Sequence, residues 1–225
     1  MISAPRASLI ARWLTVCSLA AMAGSCQYLG ILAYTAPDPT VDPKYKGLAD
    51  QKIAVMVWAD RATEIDWPHL QLDVARGIQT RLQDAAPKKE NEKELKGAHF
   101  AAPESVVRFQ HDHPESESQS VTDIAPRLDI TRLIYVEIQQ FSTRPEESME
   151  LYRGSLAGNL KVVEVINGRA KVVYSEDSIK VIYPEKSPDE GVPAGSDMQM
   201  YEKTLEAFST QIANRFMKHI EPRFQ

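Results

Sequence analysis

Beyond Cys26 this chain has no cysteine: Cys17 and Cys26 are the only two in 225 residues, and both lie in an apolar N-terminal stretch. That absence excludes a disulfide framework for the folded part, a cysteine-rich zinc site and a thiol nucleophile. A long basic run is also missing and the formal charge is −5, so a surface for nucleic acid lacks electrostatic support. No glycine-rich phosphate loop follows the first predicted strand, where Ala59-Asp60-Arg61-Ala62 brings an acid instead of a close backbone approach. Ser155, Ser175 and Ser178 fall in predicted strands without a nucleophile elbow, and His69, His99 and His219 are scattered, so no hydrolase triad is legible. No cofactor motif is present, and no cofactor is expected.

What is present begins at the N-terminus. Arg6 and Arg12 precede a stretch, Trp13 to Ala36, without a charged residue. In one reading, Leu14 to Ala23 is the apolar core of a signal peptide and Ala23-Gly24-Ser25-Cys26 is a lipoprotein cleavage box. Small residues there let a peptidase take an extended chain and cut after Ser25, and the Cys26 sulfur carries the lipid. In the other, the whole stretch of about 24 residues is a single uncleaved transmembrane helix, with Arg6 and Arg12 inside and Asp38 and Asp42 outside. Gly24, Ser25, Gln27 and Gly30 in mid-span favour the lipoprotein. Both readings place the domain outside the cytoplasm, and Gln27 rather than Asp after the lipid cysteine favours an outer membrane. Cleavage removes two arginines and no acid, so the formal charge falls from −5 to −7.

The expected organisation is a signal peptide at 1–25, a lipid-anchored proline-rich tether at 26–48 and a periplasmic α/β domain at 49–225. Pro37, Pro39 and Pro43 keep the tether extended. Lys52 to Ala59 is a short apolar run suited to a strand buried on both faces. Asp66-Trp67-Pro68 reads as a helix start, with Asp66 as cap, and Leu70, Val74, Ile78 and Leu82 form one apolar stripe. Pro87 to Lys96 reads as a charged loop, followed by a short strand, a short helix from Pro103 and a polar loop at His111 to Ser120. Strands follow at Leu133 to Ser142, Leu151 to Ile166 and Ala170 to Tyr183, the last two joined at Asn167-Gly168, a dipeptide suited to positive φ at both turn positions. A final helix spans Met200 to Ile220. The order β-α-β-α-(α)-β-β-β-α predicts an α/β (α+β) fold: a single mixed sheet of about five strands with helices packed on it.

The segments KIAVMVWAD at 52–60, DIAPRLDITRLIYVEIQQF at 123–141 and LKVVEVINGRAKVVYSEDSIKV at 160–181, with the helix up to Asp84, resemble a known group. They are similar to the periplasmic α/β domain of curli-secretion-type (CsgG-like) lipoproteins, to penicillin-binding-protein activator lipoproteins and to the N-terminal domain of TolB. The resemblance covers most of the chain after the signal and implies a membrane-tethered, non-enzymatic module that binds or assembles envelope proteins. It carries over no catalytic residue. The chain lacks the extra pair of long amphipathic segments of pore-forming members, so a secretion channel is not implied.

Several polar groups are candidates for chemistry. His111, Asp112, His113 and Glu115 are the densest set of metal-ligating types, but Pro114 and the surrounding serines read as a solvated loop without a third histidine, and no metal is expected. Asp60, Glu64 and Asp66 follow the first strand, where α/β sheets place function; they read as helix-end acids or, alternatively, as the acidic residues of an envelope hydrolase. Glu137, Glu164, Glu176 and Asp177 alternate on strands as a solvated face. Tyr201, Phe208 and Phe216 read as the core face of the last helix, and residues 184–196 with the edge strands read as contact surfaces for a partner.

Overall fold

The computed structural model describes residues 39–145, 147–148, 150–193 and 195–221. Its strands are β1 (Thr40–Val41), β2 (Lys52–Trp58), β3 (His99–Phe100), β4 (Arg132–Ser142), β5 (Gly154–Ile166), β6 (Arg169–Tyr183) and β7 (His219–Ile220). Its helices are α1 (Arg61–Asp66), α2 (Leu70–Ala85), α3 (Glu92–Leu95), α4 (Pro103–Asp112), α5 (Val121–Ile124) and α6 (Asp197–Ala213). Ser25 and Cys26 lie outside the described residues.

The fold is α+β, as the order of elements predicts. Five strands form one mixed sheet in the order β3-β2-β4-β5-β6, and β1 and β7 form a separate two-stranded ladder. β3, β2 and β4 run parallel, whereas β4, β5 and β6 are antiparallel. The sheet and everything packed on it fall within residues 41–219, one compact unit.

The sheet is covered on both faces, which explains why β2 is apolar throughout. Ile53, Val55 and Val57 enter the larger core with α2 and α6, while Ala54 and Met56 enter a smaller one with Val106 of α4 and Ile124 of α5. All five are at most 2% exposed. The stripe Leu70, Val74, Ile78 and Leu82 is fully buried against the first face, as its spacing requires. Asn167 and Gly168 take φ of 51° and 74°, the left-handed pair that turns β5 into β6. β6 is an edge strand with two irregularities: Val173 is an extra residue opposite Val162/Val163, and the Asp177–Ser178 step opposes Asn159 alone. At the second, Ser178 sits at φ 59° and its N–H bonds Asn159 Oδ1 at 3.0 Å.

Four local expectations change. Asp66 does not cap the long helix; it ends α1, whose cap is Asp60, with Oδ1 accepting from the Thr63 N–H at 2.9 Å. α2 starts after the turn at Trp67 from His69, without a side-chain cap. The charged stretch 87–96 is not a loop throughout: it folds into a 3₁₀ turn and α3, because Leu95 and Asn91 are buried. Likewise 111–120 is helical in part, with α4 running to Asp112 and a 3₁₀ turn over Pro114–Ser118.

The last helix is Asp197–Ala213, not Met200 to Ile220. Ser196 caps it through the Gln199 N–H at 3.2 Å. It stops early because the chain tightens at Arg215 and Phe216, whose N–H groups bond Ile212 and Ala213 carbonyls. Phe216 is still fully buried, in edge contact with Tyr45. Residues 41–48, at the end of the proline-rich stretch, pack on this unit: Leu48 is buried and the Tyr45 N–H bonds the Arg215 carbonyl at 2.9 Å.

Candidate functional site

The topology places a crevice at the carboxyl end of β2. From β2 the chain leaves through α1 and α2 on one face to reach β3, then returns through α4 and α5 on the other to reach β4 on the opposite side of β2. Where successive connections diverge to opposite faces, the helical layers cannot close over the strand end. The gap is a cavity of about 360 Å³. Trp58 lines it from the end of β2, Glu64, His69 and Gln71 from α1 and the start of α2, and Gln110 and His111 from the end of α4. Leu72, Val107, Pro68 and Pro114 supply apolar wall, and the exposed Glu117 also lines it.

Its polar groups are held in defined ways. Gln110 Nε2 donates to the Val57 carbonyl at 3.0 Å, which ties α4 to the end of β2. The same side chain's Oε1 is shielded from solvent and accepts no hydrogen bond. Gln71 Nε2 donates to Glu64 Oε1. Burial pushes the Glu64 carboxyl above its ordinary value, and the negative charge of Glu117 adds to this; the Gln71 donor, His111 and Arg61 oppose it without cancelling it. Glu64 is therefore a carboxyl crowded by like charge in a partly desolvated cleft, an arrangement common at functional sites.

The acids after β2 thus separate. Glu64 lines the crevice and Asp60 does not: its carboxylate is taken up by Thr63, whose backbone N–H and hydroxyl hold its pKa low. Asp66 is not among the lining residues either. The His111-to-Glu115 cluster also divides. His111 lines the crevice, while the His113 ring lies tilted at 49° to Phe109, 4.6 Å between centroids, and 3.2 Å from Glu115, which also meets Arg127. No group of three or more His, Cys, Asp or Glu among the described residues could hold a metal ion. His69 and His111, 42 positions apart, share the crevice. The missed partners Val107 and Gln110 share one face of α4 with His111, since Gln110 and His111 follow Val107 by three and four residues, a spacing readable in the sequence.

Of the strand acids, Asp177 is exposed as expected, but Glu164 and Glu176 are ion-paired and not part of a solvated face. Glu164 meets Arg132 at 2.7 Å and Lys171 at 3.6 Å, and Glu176 meets Arg215 and Lys44, both at 2.9 Å. Ser155 and Lys180 line a second cavity of about 640 Å³ at the end of β4, beside Asp189 of the 184–196 loop. Its arginines are engaged: Arg144 with Asp197 at 2.7 Å and over the Tyr152 ring, Arg153 with Asp189 at 2.7 Å. Ser175 and Ser178 lie on β6 and His99 on β3, at opposite edges of the sheet, so they cannot form a triad. Tyr201 is the ring that stacks on Trp67 at 5.2 Å, with its hydroxyl donating to Asp73 at 2.7 Å.

No protein-family profile and no curated protein matches the chain. Among solved structures it is similar to the PelC dodecamer from Paraburkholderia phytofirmans, with 8% identity, 80% of this chain and 97% of that chain covered, and a TM-score of 0.44. It is also similar to the hypothetical protein CT253 from Chlamydia trachomatis, with 16% identity, 76% and 98% covered, and a TM-score of 0.40. A third is Lipoprotein GNA1162 from Neisseria meningitidis, with 13% identity, 72% and 98% covered, and a TM-score of 0.37. Among the described residues no helix is long and apolar enough to cross a membrane.

Proposed function

We propose that this chain is a lipid-anchored protein of the bacterial cell envelope, cleaved after Ser25, acylated on Cys26, and acting in the periplasm as a non-enzymatic binding or assembly module for other envelope proteins. The observation that carries the reading is the placement of Cys26. It follows Ala23-Gly24-Ser25 at the end of an apolar run and is the one cysteine retained after such a cut. Gln27 directs the anchor to the outer membrane. The proline-rich residues after Cys26 supply reach, and the domain brings a crevice and an open sheet edge as contact surfaces.

The test is metabolic labelling with an alkyne fatty acid. Wild type is expected to carry label in the membrane fraction and to lack residues 1–25 by mass, and Cys26→Ala to lose the label and retain its full N-terminus. Unlabelled wild type that keeps residues 1–25 in the membrane would instead establish the single transmembrane helix.

A second reading has one observation of its own. The raised Glu64 carboxyl beside His69 and His111 suits a general acid in an envelope hydrolase. In that case the full chain turns over members of a panel of chromogenic glycosides and esters, and Glu64→Gln removes that turnover while leaving the melting temperature unchanged. Absence of turnover across the panel rejects it.

A further inference from the structure

The β5–β6 hairpin outruns its neighbouring strand. β4 pairs with β5 no further than Arg132 opposite Glu164, and the Thr131 carbonyl takes the Val165 N–H at 3.0 Å. Past that level the hairpin continues as Ile166, the Asn167-Gly168 turn and Arg169, which lies directly opposite Ile166. All four residues are exposed, Ile166 to 55%. Strand alternation puts Ile166, Arg169 and Lys171 on one face of the tip. With Glu164, Asn167 and Ala170 they line an open hollow of about 480 Å³.

The tip is also cationic in a chain whose net charge is negative. Between Glu164 and Glu176 the sequence holds Arg169 and Lys171 and no acid. Arg169 has no ion pair among the described residues. The acids nearby are already met: Glu164 by Arg132 at 2.7 Å and Lys171 at 3.6 Å, and Asp129 by Lys52 at 3.5 Å. An exposed isoleucine opposite a free guanidinium, with a lysine beside it, suits the surface of an anionic bilayer, where apolar groups enter and long basic side chains reach phosphate. The place in the fold agrees. Arg132, which pairs with Glu164 at the base of the tip, also donates from Nε to the Gly47 carbonyl at 3.2 Å. The hairpin therefore lies at the end of the domain where residues 41–48 dock, the part nearest the anchor in sequence. Val41 follows Cys26 by fifteen residues, a span of at most roughly 50 Å. On so short a tether even a weak contact with the bilayer is intramolecular and has a high effective concentration.

We propose that the tip of the β5–β6 hairpin rests on the anionic headgroups of the membrane that anchors the chain, with Ile166 entering the headgroup layer and Arg169 and Lys171 taking lipid phosphates. The proposal rests on the anchoring reading, which keeps the domain beside a bilayer, and adds the orientation the domain takes there. β5 runs antiparallel to β4, and β4 parallel to β2, so the carboxyl end of β2 is the end away from the tip. The crevice and the 184–196 loop, which follows the far end of β6, then face away from the membrane and stay open to a partner.

The test uses the full-length chain reconstituted in vesicles of phosphatidylethanolamine and phosphatidylglycerol in equal parts, with acyl chains brominated near the headgroup to quench tryptophan on contact. Ile166→Trp keeps the tip apolar and adds a reporter, and wild type supplies the background of the native tryptophans. Met198→Trp is the control. Met198 is 61% exposed at the start of α6, and two residues on, the Met200 carbonyl lies beside Gly154, the opposite end of β5. Gly154 and Ile166 are the two ends of that strand, about 40 Å apart at its usual rise. Ile166→Trp is expected to be quenched and Met198→Trp not. Adding Arg169→Gln to Ile166→Trp is expected to lower the ratio of quenched to unquenched tip about fivefold, the scale of one basic residue at an anionic surface. Brominated phosphatidylcholine vesicles are expected to quench less than the anionic ones. Quenching at Ile166→Trp no greater than at Met198→Trp, equal quenching in phosphatidylcholine, or no change with Arg169→Gln overturns the proposal. Both reporter sites are exposed, so neither variant requires the core to repack. The acylated chain and the uncleaved chain both stay on the vesicles, so the result is read in either case and the anchoring reading is judged separately by the Cys26 label.

Discussion

Phe208→Ala is expected to lower the unfolding free energy by about 3–5 kcal/mol, the range for deleting a fully buried aromatic ring. Phe208 is 0% exposed on α6 and packs where β5 has Gly158 instead of a side chain. A Cβ at Gly158 would lie 3.3 Å from the Phe208 ring and 2.8 Å from the Glu137 carbonyl of β4. The ring therefore rests directly on the backbone of the central strands. That backbone is held by ladders on both sides and cannot collapse into a hole, which places the loss high in the range. Urea unfolding read by circular dichroism measures it: the midpoint falls and the slope is retained. Val172→Ala, at a side chain 44% exposed, is the control and stays within about 0.5 kcal/mol. A loss at Phe208 below about 1.5 kcal/mol would mean that α6 does not seat as described.

Glu176→Gln is expected to cost about 2 kcal/mol at pH 7 and nothing near pH 2. Burial alone would raise the Glu176 carboxyl, but donors from Arg215, Tyr174 and Lys44 outweigh it and hold the group at about 2 against an ordinary 4.5. A carboxyl whose pKa is lowered by folding binds fewer protons in the native state than in the unfolded one. Its contribution is thus complete above pH 4.5 and disappears as pH falls through about 2. The conversion of the shift is discounted because Glu176 retains 21% side-chain exposure and solvent screens part of the attraction. Parallel denaturation of wild type and variant from pH 7 to pH 2 checks this. The two curves should converge at the acid end, where protonated glutamate and glutamine are alike; a gap independent of pH would rule out the linkage. The same glutamate joins Lys44, near the end of the proline-rich stretch, to Arg215, just past α6, so the variant also tests how residues 41–48 stay docked.

Much of this fold is written in local pattern. The i, i+4 stripe from Leu70 to Leu82, the unbroken apolar run of β2 and the Asn167-Gly168 turn each reflect a constraint that acts within a few residues. The misplaced features are those decided by distant partners. Phe216 continues the four-residue spacing of Ile212, yet the chain leaves the helix there because Arg215 must reach Glu176 on β6 and the Phe216 ring must meet Tyr45. The Ser196 cap was readable, since Gln199 follows it at capping-box spacing. The crevice was legible only in part. Acids after the first strand pointed to its place, but the grouping of Glu64 with Gln110 and His111 depends on β4 returning to the far side of β2, which no local spacing encodes. Alternation along a strand says nothing of the arginines that other segments bring to Glu164 and Glu176.

One feature of the sheet bears on how the protein keeps to itself. A strand with an unpaired side invites another chain to add to it, and fifteen residues of β6 are such a side. The extra residue at Val173 and the step at Asp177–Ser178 divide its regular register into runs of four, three and five residues. An incoming strand would lose alignment after each run and meet Lys171, Asp177 or Lys180 along the way. Fibril-like stacking needs six or seven residues in unbroken register, so the bulges leave no span of β6 long enough to seed it.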